Sequence, residues 1–201
     1  MAYLSRKELE SIGFEKLGEE VLISDKVSFY NPSKISIGSY VRIDDFCVIS
    51  AGDEGIEIGE FVHISCHATL IGKAKITIKD FVAISIRATI ISSTSDFSGE
   101  FLPSVEAFVE LKENYEDLFS VISKPVTMET HTGLGAHSVI MPGVTIGKGS
   151  AIGALSAVYE NVNPWGIYLG NPVRFVKKRS EEAYNKLQER ILTGNKSQNL
   201  K

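Results

Sequence analysis

The chain lacks the features that mark several large classes of protein. Its 201 residues contain no apolar run that approaches the roughly 20 residues of a membrane-spanning helix. The first ten residues, MAYLSRKELE, lack the long apolar core of a signal peptide. Only two cysteines are present, Cys47 and Cys66, and both sit inside repeat turns, where we expect buried free thiols. These absences predict a cytoplasmic protein without a membrane span.

The charge and composition of the chain argue against only one further class, the nucleic-acid-binding proteins. The 21 basic and 25 acidic residues give a net charge of −4, which argues against nucleic acid as the main partner. Apolar residues make up 43% and charged residues 23% of the chain, an ordinary globular balance. The length suits one domain with appendages.

The most informative feature is a period of six residues. Two positions before most of the recurring aliphatic residues lies a small or β-branched residue, as at Thr132, Ser138 and Val144. Six is neither the helical nor the strand period, so three short turns form one coil of about eighteen residues in a solenoid. The recurring residues are Ile37, Ile43, Ile49, Ile58, Ile64, Leu70, Ile78, Ile84, Ile90, Met128, Leu134, Ile140, Ile146, Ile152 and Val158.

The pattern divides the chain into three parts. Residues 1–19 form an N-terminal segment with a short helix at 4–12, for which Ser5 and Glu8 provide a cap. Residues 20–164 form the solenoid, which Pro164 ends because proline cannot donate to a backbone ladder. Residues 97–125 break the repeat and, being rich in aromatic and acidic residues, predict an ordered, protruding arm. Residues 165–201 form a tail and a closing helix capped by Ser180.

The repeats, the block MPGVTIGKGSAIGALSAV (141–158) and the tail GNPVRFVKKR (170–179) resemble the hexapeptide-repeat acyltransferases over roughly residues 20–179. The most similar subgroup is the galactoside and maltose acetyltransferase type, with the sugar O-acetyltransferases of surface-polysaccharide synthesis. This resemblance implies an all-β solenoid, a left-handed parallel β-helix with short N- and C-terminal helices. It also implies a homotrimer that binds acetyl-CoA in clefts between neighbouring subunits.

Two Gly-Ala pairs predict the cofactor groove. They lie eighteen residues apart and therefore stack on adjacent coils, which leaves a smooth edge for the pantetheine arm. In the resembling family the pantetheine runs along these positions, and basic residues of the tail could meet the phosphates. Tyr159 and Glu160 stand where the subgroup often has Thr-Lys, which removes one usual contact. The predicted cofactor residues are Gly135, Ala136, His137, Gly153, Ala154, Ser156, Arg174, Lys177 and Lys178.

The expected catalytic histidine is absent. A hydroxyl acceptor needs a general base, and the family's usual histidine aligns at Ser95, within SSTSDFSGE (92–100). Asp96 is the nearest ionisable group there: it could act as a base, orient a histidine from elsewhere, or only cap the turn into the arm. We predict His63 as the substitute base, because the family's acceptor-contacting aromatic residue aligns with it.

The acceptor site is predicted from the register of the coils. The family's acceptor-contacting amide aligns at Ser65. If the two-residue slip between the second and third repeat blocks is looped out, His67, Arg87 and His137 fall in one column. His67 is the second choice for the base, and Arg87 is an acceptor contact. The acceptor is a saccharide or a nucleotide sugar.

Several functions remain open. The main prediction is acetyl transfer from acetyl-CoA to a saccharide hydroxyl in bacterial surface-glycan synthesis. The missing histidine also favours an N-acyltransferase of nucleotide-linked amino sugars, because an amine can lose its proton to water and attack without a dedicated base. A zinc-dependent γ-type carbonic anhydrase needs three histidines in a pattern that the four-residue spacing of His63 and His67 does not match, so no metal is predicted. A scaffolding solenoid without activity is the remaining alternative.

Overall fold

The chain folds as a left-handed parallel β-helix, as the sequence predicts. The structure is a computed structural model that describes residues 2–102 and 118–198, with side chains described up to residue 190. Most of the predicted arm at 97–125 therefore lies outside the described residues. Among the described residues, no helix is long and apolar enough to cross a membrane.

Each coil contributes one short strand to each of three parallel sheets. The first sheet contains β1 (Lys16–Leu17), β4 (Ile35–Ile37), β7 (Ile56–Ile58), β10 (Ile76–Ile78), β15 (Val126–Met128) and β18 (Thr145–Ile146). The second contains β2 (Leu22–Ile23), β5 (Arg42–Ile43), β8 (His63–Ile64), β11 (Ala83–Ile84), β16 (Gly133–Leu134), β19 (Ala151–Ile152), β21 (Gly166–Leu169) and β22 (Arg174–Lys178). The third contains β3 (Ser28–Tyr30), β6 (Val48–Ala51), β9 (Thr69–Gly72), β12 (Thr89–Ile91), β17 (Val139–Ile140) and β20 (Ala157–Val158).

The six-residue period builds the core. Every recurring aliphatic residue is buried, with exposures of 0–3%, and the small residues that precede them fill the corners. Ile43, Ile64 and Ile84 stack directly, because β5, β8 and β11 pair in register. Burial of such a side chain contributes about 1.5–3 kcal/mol, and β-branched residues suit the pleated surface. The repeated isoleucines therefore account for both the register and the stability of the coil stack.

The corners of the solenoid use a backbone conformation that the sequence does not signal. Among the described residues, twelve other than glycine have a positive φ, including Tyr40, Phe61 and Phe81 between the first and second sheets. This conformation usually costs a non-glycine residue about 1–2 kcal/mol. Here the rings stack, with centroids 4.8 Å apart for Tyr40 and Phe61 and 4.9 Å for Phe61 and Phe81. We call Tyr40, Phe61, Phe81 and His131 the aromatic ladder, and its stacking offsets part of that cost.

Strand pairing in the β-helix extends beyond both predicted ends of the solenoid. β1 pairs with β4, so the solenoid begins at Lys16 instead of residue 20. At the other end β21 pairs in parallel with β19, past Pro164. Proline 164 needs no ladder bond because it lies in the turn before β21, where the Trp165 N–H donates to the carbonyl of Lys148 over 2.8 Å. β22 then returns antiparallel along β21 and completes the second sheet.

The helices and the base of the arm complete the described chain. Helix α1 (Arg6–Ile12) has the predicted capping box between Ser5 and Glu8. Helix α2 (Glu182–Gln198) begins beside Ser180, whose Oγ accepts from the Glu182 N–H over 3.2 Å. Two antiparallel strands, β13 (Ser93–Ser95) and β14 (Val121–Ser123), lead into and out of the predicted arm. A 3₁₀ helix (Pro32–Lys34) precedes β4.

Candidate functional site

Two columns of residues run along the second sheet, with one residue from each coil. Strand pairing defines the first column, and the backbone hydrogen bonds that follow each strand define the second. The first column is Leu22, Arg42, His63, Ala83, Gly133, Ala151 and Ile167. The second column is Ser24, Asp44, Ser65, Ser85, Gly135, Gly153 and Leu169. Polar residues occupy the early coils and glycines the late ones, so two predicted sites lie on one surface.

His63 is held by a carboxylate from the preceding coil. Its Nε2 lies 2.9 Å from Oδ2 of Asp44, and Oδ1 of Asp44 accepts from Nε of Arg42 over 2.7 Å. The Asp44 side chain is 9% exposed, whereas those of His63 and Arg42 are about half exposed. A carboxylate on Nε2 favours the tautomer with the proton there, which leaves Nδ1 free to accept a proton.

Sequence reasoning predicted His63 as the base but did not include its partners Asp44 and Arg42. These residues lie 19 and 21 positions before His63, whereas the repeat suggests an eighteen-residue coil. The small loop after Ala51 lengthens this coil, so Arg42 pairs with His63. An alignment that loops out three residues between Ala51 and Ile56 would have placed both beside the histidine.

The predicted column of acceptor residues is present at the corner between the second and third sheets. The Arg87 N–H donates to the carbonyl of Cys66, and the His137 N–H donates to that of Ile86. These bonds place His67, Arg87 and His137 on successive coils, all with positive φ and exposed. The ring of His67 also stacks on Phe46, with centroids 5.0 Å apart. Ser65 lies next to this corner in the second column.

The Gly-Ala pairs stack on adjacent coils, as predicted. Gly135 lies so close to the next coil that a Cβ there would stand 2.5 Å from the backbone nitrogen of Ala154. A Cβ at Gly153 would stand 2.5 Å from Cδ1 of Leu169. At Gly135 the close neighbours are backbone atoms, so only glycine permits this approach, whereas at Gly153 the neighbour is the end of the Leu169 side chain. The adjoining Ala154 is exposed. The result is a narrow strip of small residues that Leu169 borders at one end.

Ser156 differs from the expectation of a cofactor contact. Its side chain is 2% exposed, and its Oγ accepts from the Gly170 N–H over 3.1 Å. Its backbone N–H donates to Ser138 Oγ over 3.1 Å. Ser156 thus fixes the edge of the strip from inside the coil and presents no atom to it.

The basic tail residues lie at the end of the second sheet. Arg174 pairs with Leu169, at the end of the column that holds Gly135 and Gly153. Lys177 pairs with Ile167, at the end of the column that holds His63. Lys178 follows it, and all three basic side chains are exposed. The tail therefore places positive charge beside the glycine strip, as predicted.

Ser95 and Asp96 lie apart from His63 within one chain. Ser95 pairs with Val121 at the base of the arm, beyond the third sheet, whereas His63 is on the second. The Asp96 carboxylate accepts from the Ser98 N–H over 2.8 Å, and this bond lowers its pKa. A carboxylate with a lowered pKa is a weak base, so this geometry matches the alternative of a residue that caps the turn into the arm.

The two cysteines are free, as predicted, but only one is fully buried. Cys47 is inside the coil and donates through Sγ to the carbonyl of Ser65 over 3.1 Å. Burial raises the pKa of its thiol to about 11. Cys66 is half-buried. Within the described ranges, no three His, Cys, Asp or Glu side chains form a group that could hold a metal ion.

Comparison with known proteins gives consistent relatives, although no family model matches the chain. A dTDP-4-amino-4,6-dideoxy-D-glucose acyltransferase from Escherichia coli is 40% identical over 182 residues, which cover 90% of this chain and 91% of that protein. The N-acyltransferase AntD from Bacillus cereus, crystallised with dTDP and 3-hydroxybutyryl-CoA, is 38% identical with a TM-score of 0.84. That match covers 96% of this chain and 98% of AntD.

A more distant structure shares the fold. A hexapeptide-repeat-containing acetyltransferase from Vibrio cholerae matches with a TM-score of 0.59 at 21% identity, over 87% of this chain and 80% of that one. Together with the nearly full-length match to the Escherichia coli enzyme, the six-residue coils and the glycine strip place the chain among known enzymes. The chain belongs to the hexapeptide-repeat acyltransferases, and the related AntD structures contain coenzyme A or an acyl-CoA.

Proposed function

We propose that the protein transfers an acyl group from acyl-CoA to the amino group of a nucleotide-linked amino sugar, a dTDP-4-amino-4,6-dideoxyhexose. The observation that carries the proposal is the 40% identity over 90% of the chain to an enzyme named for that substrate. An AntD variant crystallised with dTDP-4-amino-4,6-dideoxyglucose and coenzyme A, at 38% identity and a TM-score of 0.86, supports it. The relatives thus favour the N-acyl alternative over O-acetylation of the galactoside and maltose type.

An amine acceptor needs its base later than a hydroxyl does, because a neutral amine attacks without first losing a proton. A neutral amine attacks the thioester carbonyl carbon, the C–N bond forms, and the nitrogen becomes positively charged. That nitrogen must lose one proton before the C–S bond breaks, and the departing thiolate gains one. His63 Nδ1 can take the first proton and return it to the sulfur, while Asp44 keeps Nε2 protonated. Backbone N–H groups near the cleft stabilise the oxyanion.

The two halves of the second sheet suit the two substrates. We place the acyl donor along Gly135, Ala136, Gly153 and Ala154, with Arg174 and the tail lysines toward its phosphates. His137 borders the same strip. The polar early coils have hydrogen-bond groups for a sugar and charges for a diphosphate, through Ser65, His67 and Arg87. These are the acceptor contacts of the proposal.

The proposal includes a homotrimer. His63 on the second sheet and Ser95 and Asp96 beyond the third sheet are separated within one chain. A neighbouring subunit that faces the second sheet would complete the cleft and could bring its own arm base to the acceptor. Sedimentation measurements would test the oligomeric state. We expect a trimer, and a stable monomer would contradict the proposal. The cytoplasmic location and a role in surface-glycan synthesis stay predictions.

The test is turnover on a matched pair of acceptors. Acetyl-CoA is offered with dTDP-4-amino-4,6-dideoxyglucose and with the same nucleotide sugar that carries a hydroxyl at position 4. We expect thiol release and an amide product, identified by mass spectrometry, with the amine alone. Ester formation on the hydroxyl sugar would instead establish O-acetylation. Absence of both coenzyme A binding and turnover would favour the scaffold alternative.

A further inference from the structure

The Arg42–Asp44–His63 cluster has a defined hydrogen-bond pattern around the Asp44 carboxylate. Asp44 is 7% exposed overall, and each of its carboxylate oxygens has one partner. Oδ1 accepts from Arg42 and Oδ2 faces Nε2 of His63, at 2.7 and 2.9 Å. Arginine is always a donor, so it fixes which oxygen remains for the histidine. The cluster is thus a directional relay and more than a simple ion pair.

Among the described residues, the strands on either side of β8 give His63 no second carboxylate partner. The strand before β8 supplies Arg42 and Asp44, and the strand after it places the small, uncharged Ala83 beside His63. The neighbouring carboxylate, Asp45, faces elsewhere: it accepts from Ser24 and pairs with Lys26 over 3.3 Å. Two adjacent aspartates therefore have separate partners, and among the described residues Asp44 alone hydrogen-bonds the ring of His63.

We propose that Asp44, oriented by Arg42, is a positioning residue that fixes the tautomer of His63 with the proton on Nε2, so that Nδ1 can accept the proton of the acceptor amine. The inference rests on the proposed function only for the identity of the acceptor. The tautomer itself is a property of the free enzyme. Asp44 touches neither substrate, and it acts through the histidine.

The relay predicts an unusual response to Asp44→Asn. Arg42 would still require the single oxygen of the new amide, so the NH₂ group would turn toward His63. Nε2 would then have to accept, the ring proton would move to Nδ1, and the base would be blocked. The kcat should fall at least roughly tenfold, within the usual contribution of a general base. KM for acyl-CoA should stay unchanged, because the glycine strip lies on later coils.

The decisive control releases the side-chain amide of the introduced asparagine from its hydrogen bond with Arg42. In the double variant Arg42→Leu with Asp44→Asn, the side chain can rotate its oxygen toward Nε2, so the original tautomer returns. We expect kcat to recover at least roughly threefold over Asp44→Asn alone, although a second residue has been removed. Asp45→Asn, which changes the adjacent carboxylate, should leave kcat as in the wild type.

Nitrogen-15 NMR of histidine-labelled protein reads the tautomer directly and does not depend on the acceptor. The inference expects Nε2–H at His63 in the wild type, Nδ1–H in Asp44→Asn and Nε2–H again in the double variant. An unchanged tautomer in Asp44→Asn, or a double variant no more active than the single one, would overturn it. The proposed function fails separately, if the wild type forms no amide on the amino sugar.

Discussion

The early and late coils of the second sheet share one backbone and differ in what they present. The early coils carry Arg42, Asp44 and His63, which hydrogen-bond across strands. The late coils carry Gly135, where a Cβ would meet the backbone of the next coil, and Gly153, where it would meet the side chain of Leu169. The core beneath is the same stack of aliphatic residues in both halves. Fold and function thus lie on opposite faces of the same strands, and the outer face alone distinguishes the two sites.

The largest expected effect comes from the early coils. His63→Ala should lower kcat by about 100-fold or more, because it removes the proton acceptor. KM for acyl-CoA should change little. Glu57→Ala, an exposed position on the same coil but in the first sheet, is the matched control and should leave kcat near the wild-type value. Steady-state thiol release measures both, and full turnover by His63→Ala would mean that water takes the proton.

The late coils offer a pair of glycines two residues apart. Gly135→Ala should lower the free energy of unfolding by about 1–3 kcal/mol, because the added Cβ would stand 2.5 Å from the backbone of Gly153 and Ala154. Gly133→Ala has open space around its Cβ and should be neutral or slightly stabilising. Urea denaturation compares them. Equal stability of the two variants would contradict the close packing of the strip.

The glycine strip can also be tested by blocking it. Ala154→Trp puts a large ring on the exposed strip and should raise KM for acyl-CoA at least roughly fivefold, the equivalent of about 1 kcal/mol. Leu22→Trp, on the first coil of the same sheet, should leave that KM unchanged. Unaltered acyl-CoA kinetics in a folded Ala154→Trp variant would remove the donor from this strip.

The smallest expected effect is a pH dependence at the aromatic ladder. Burial, followed by Lys148 and Arg179, lowers the pKa of His131 below its ordinary value of 6.5. The folded state therefore favours the neutral ring, so stability present above 6.5 is lost as the pH falls toward the folded-state pKa. His131→Phe keeps the stack on Phe81 and should weaken this loss in thermal unfolding at acid and neutral pH. His137→Phe, at an exposed corner, should not.

The six-residue period predicts the fold because the core is repetitive. Spacing alone placed every aliphatic residue of the six-residue repeat in the core, and coil counting placed His67, Arg87 and His137 in one column. Glycine pairs eighteen residues apart likewise indicated direct stacking. These features depend only on the register of neighbouring coils, which the period determines.

Other features depend on local geometry that no period encodes. Asp44 reaches His63 because one coil is lengthened by the loop at 52–55. Ser156 occupies a predicted groove position, yet its hydroxyl accepts a hydrogen bond from the Gly170 N–H inside the coil. The corner residues are aromatic rings and histidines in a conformation usually left to glycine, supported by stacking that spacing does not reveal. The acceptor itself required the relatives, since a polar surface fits hydroxyl and amino sugars alike.

The proposed function divides the second sheet into an acceptor half and a donor half. A crystal structure of the protein with dTDP-4-amino-4,6-dideoxyglucose and coenzyme A would test this division. We expect the sugar amine within hydrogen-bond distance of Nδ1 of His63, at about 3 Å. We also expect the pantetheine along Gly135 and Gly153. A sugar bound away from the early coils, or a pantetheine away from the glycine strip, would contradict it.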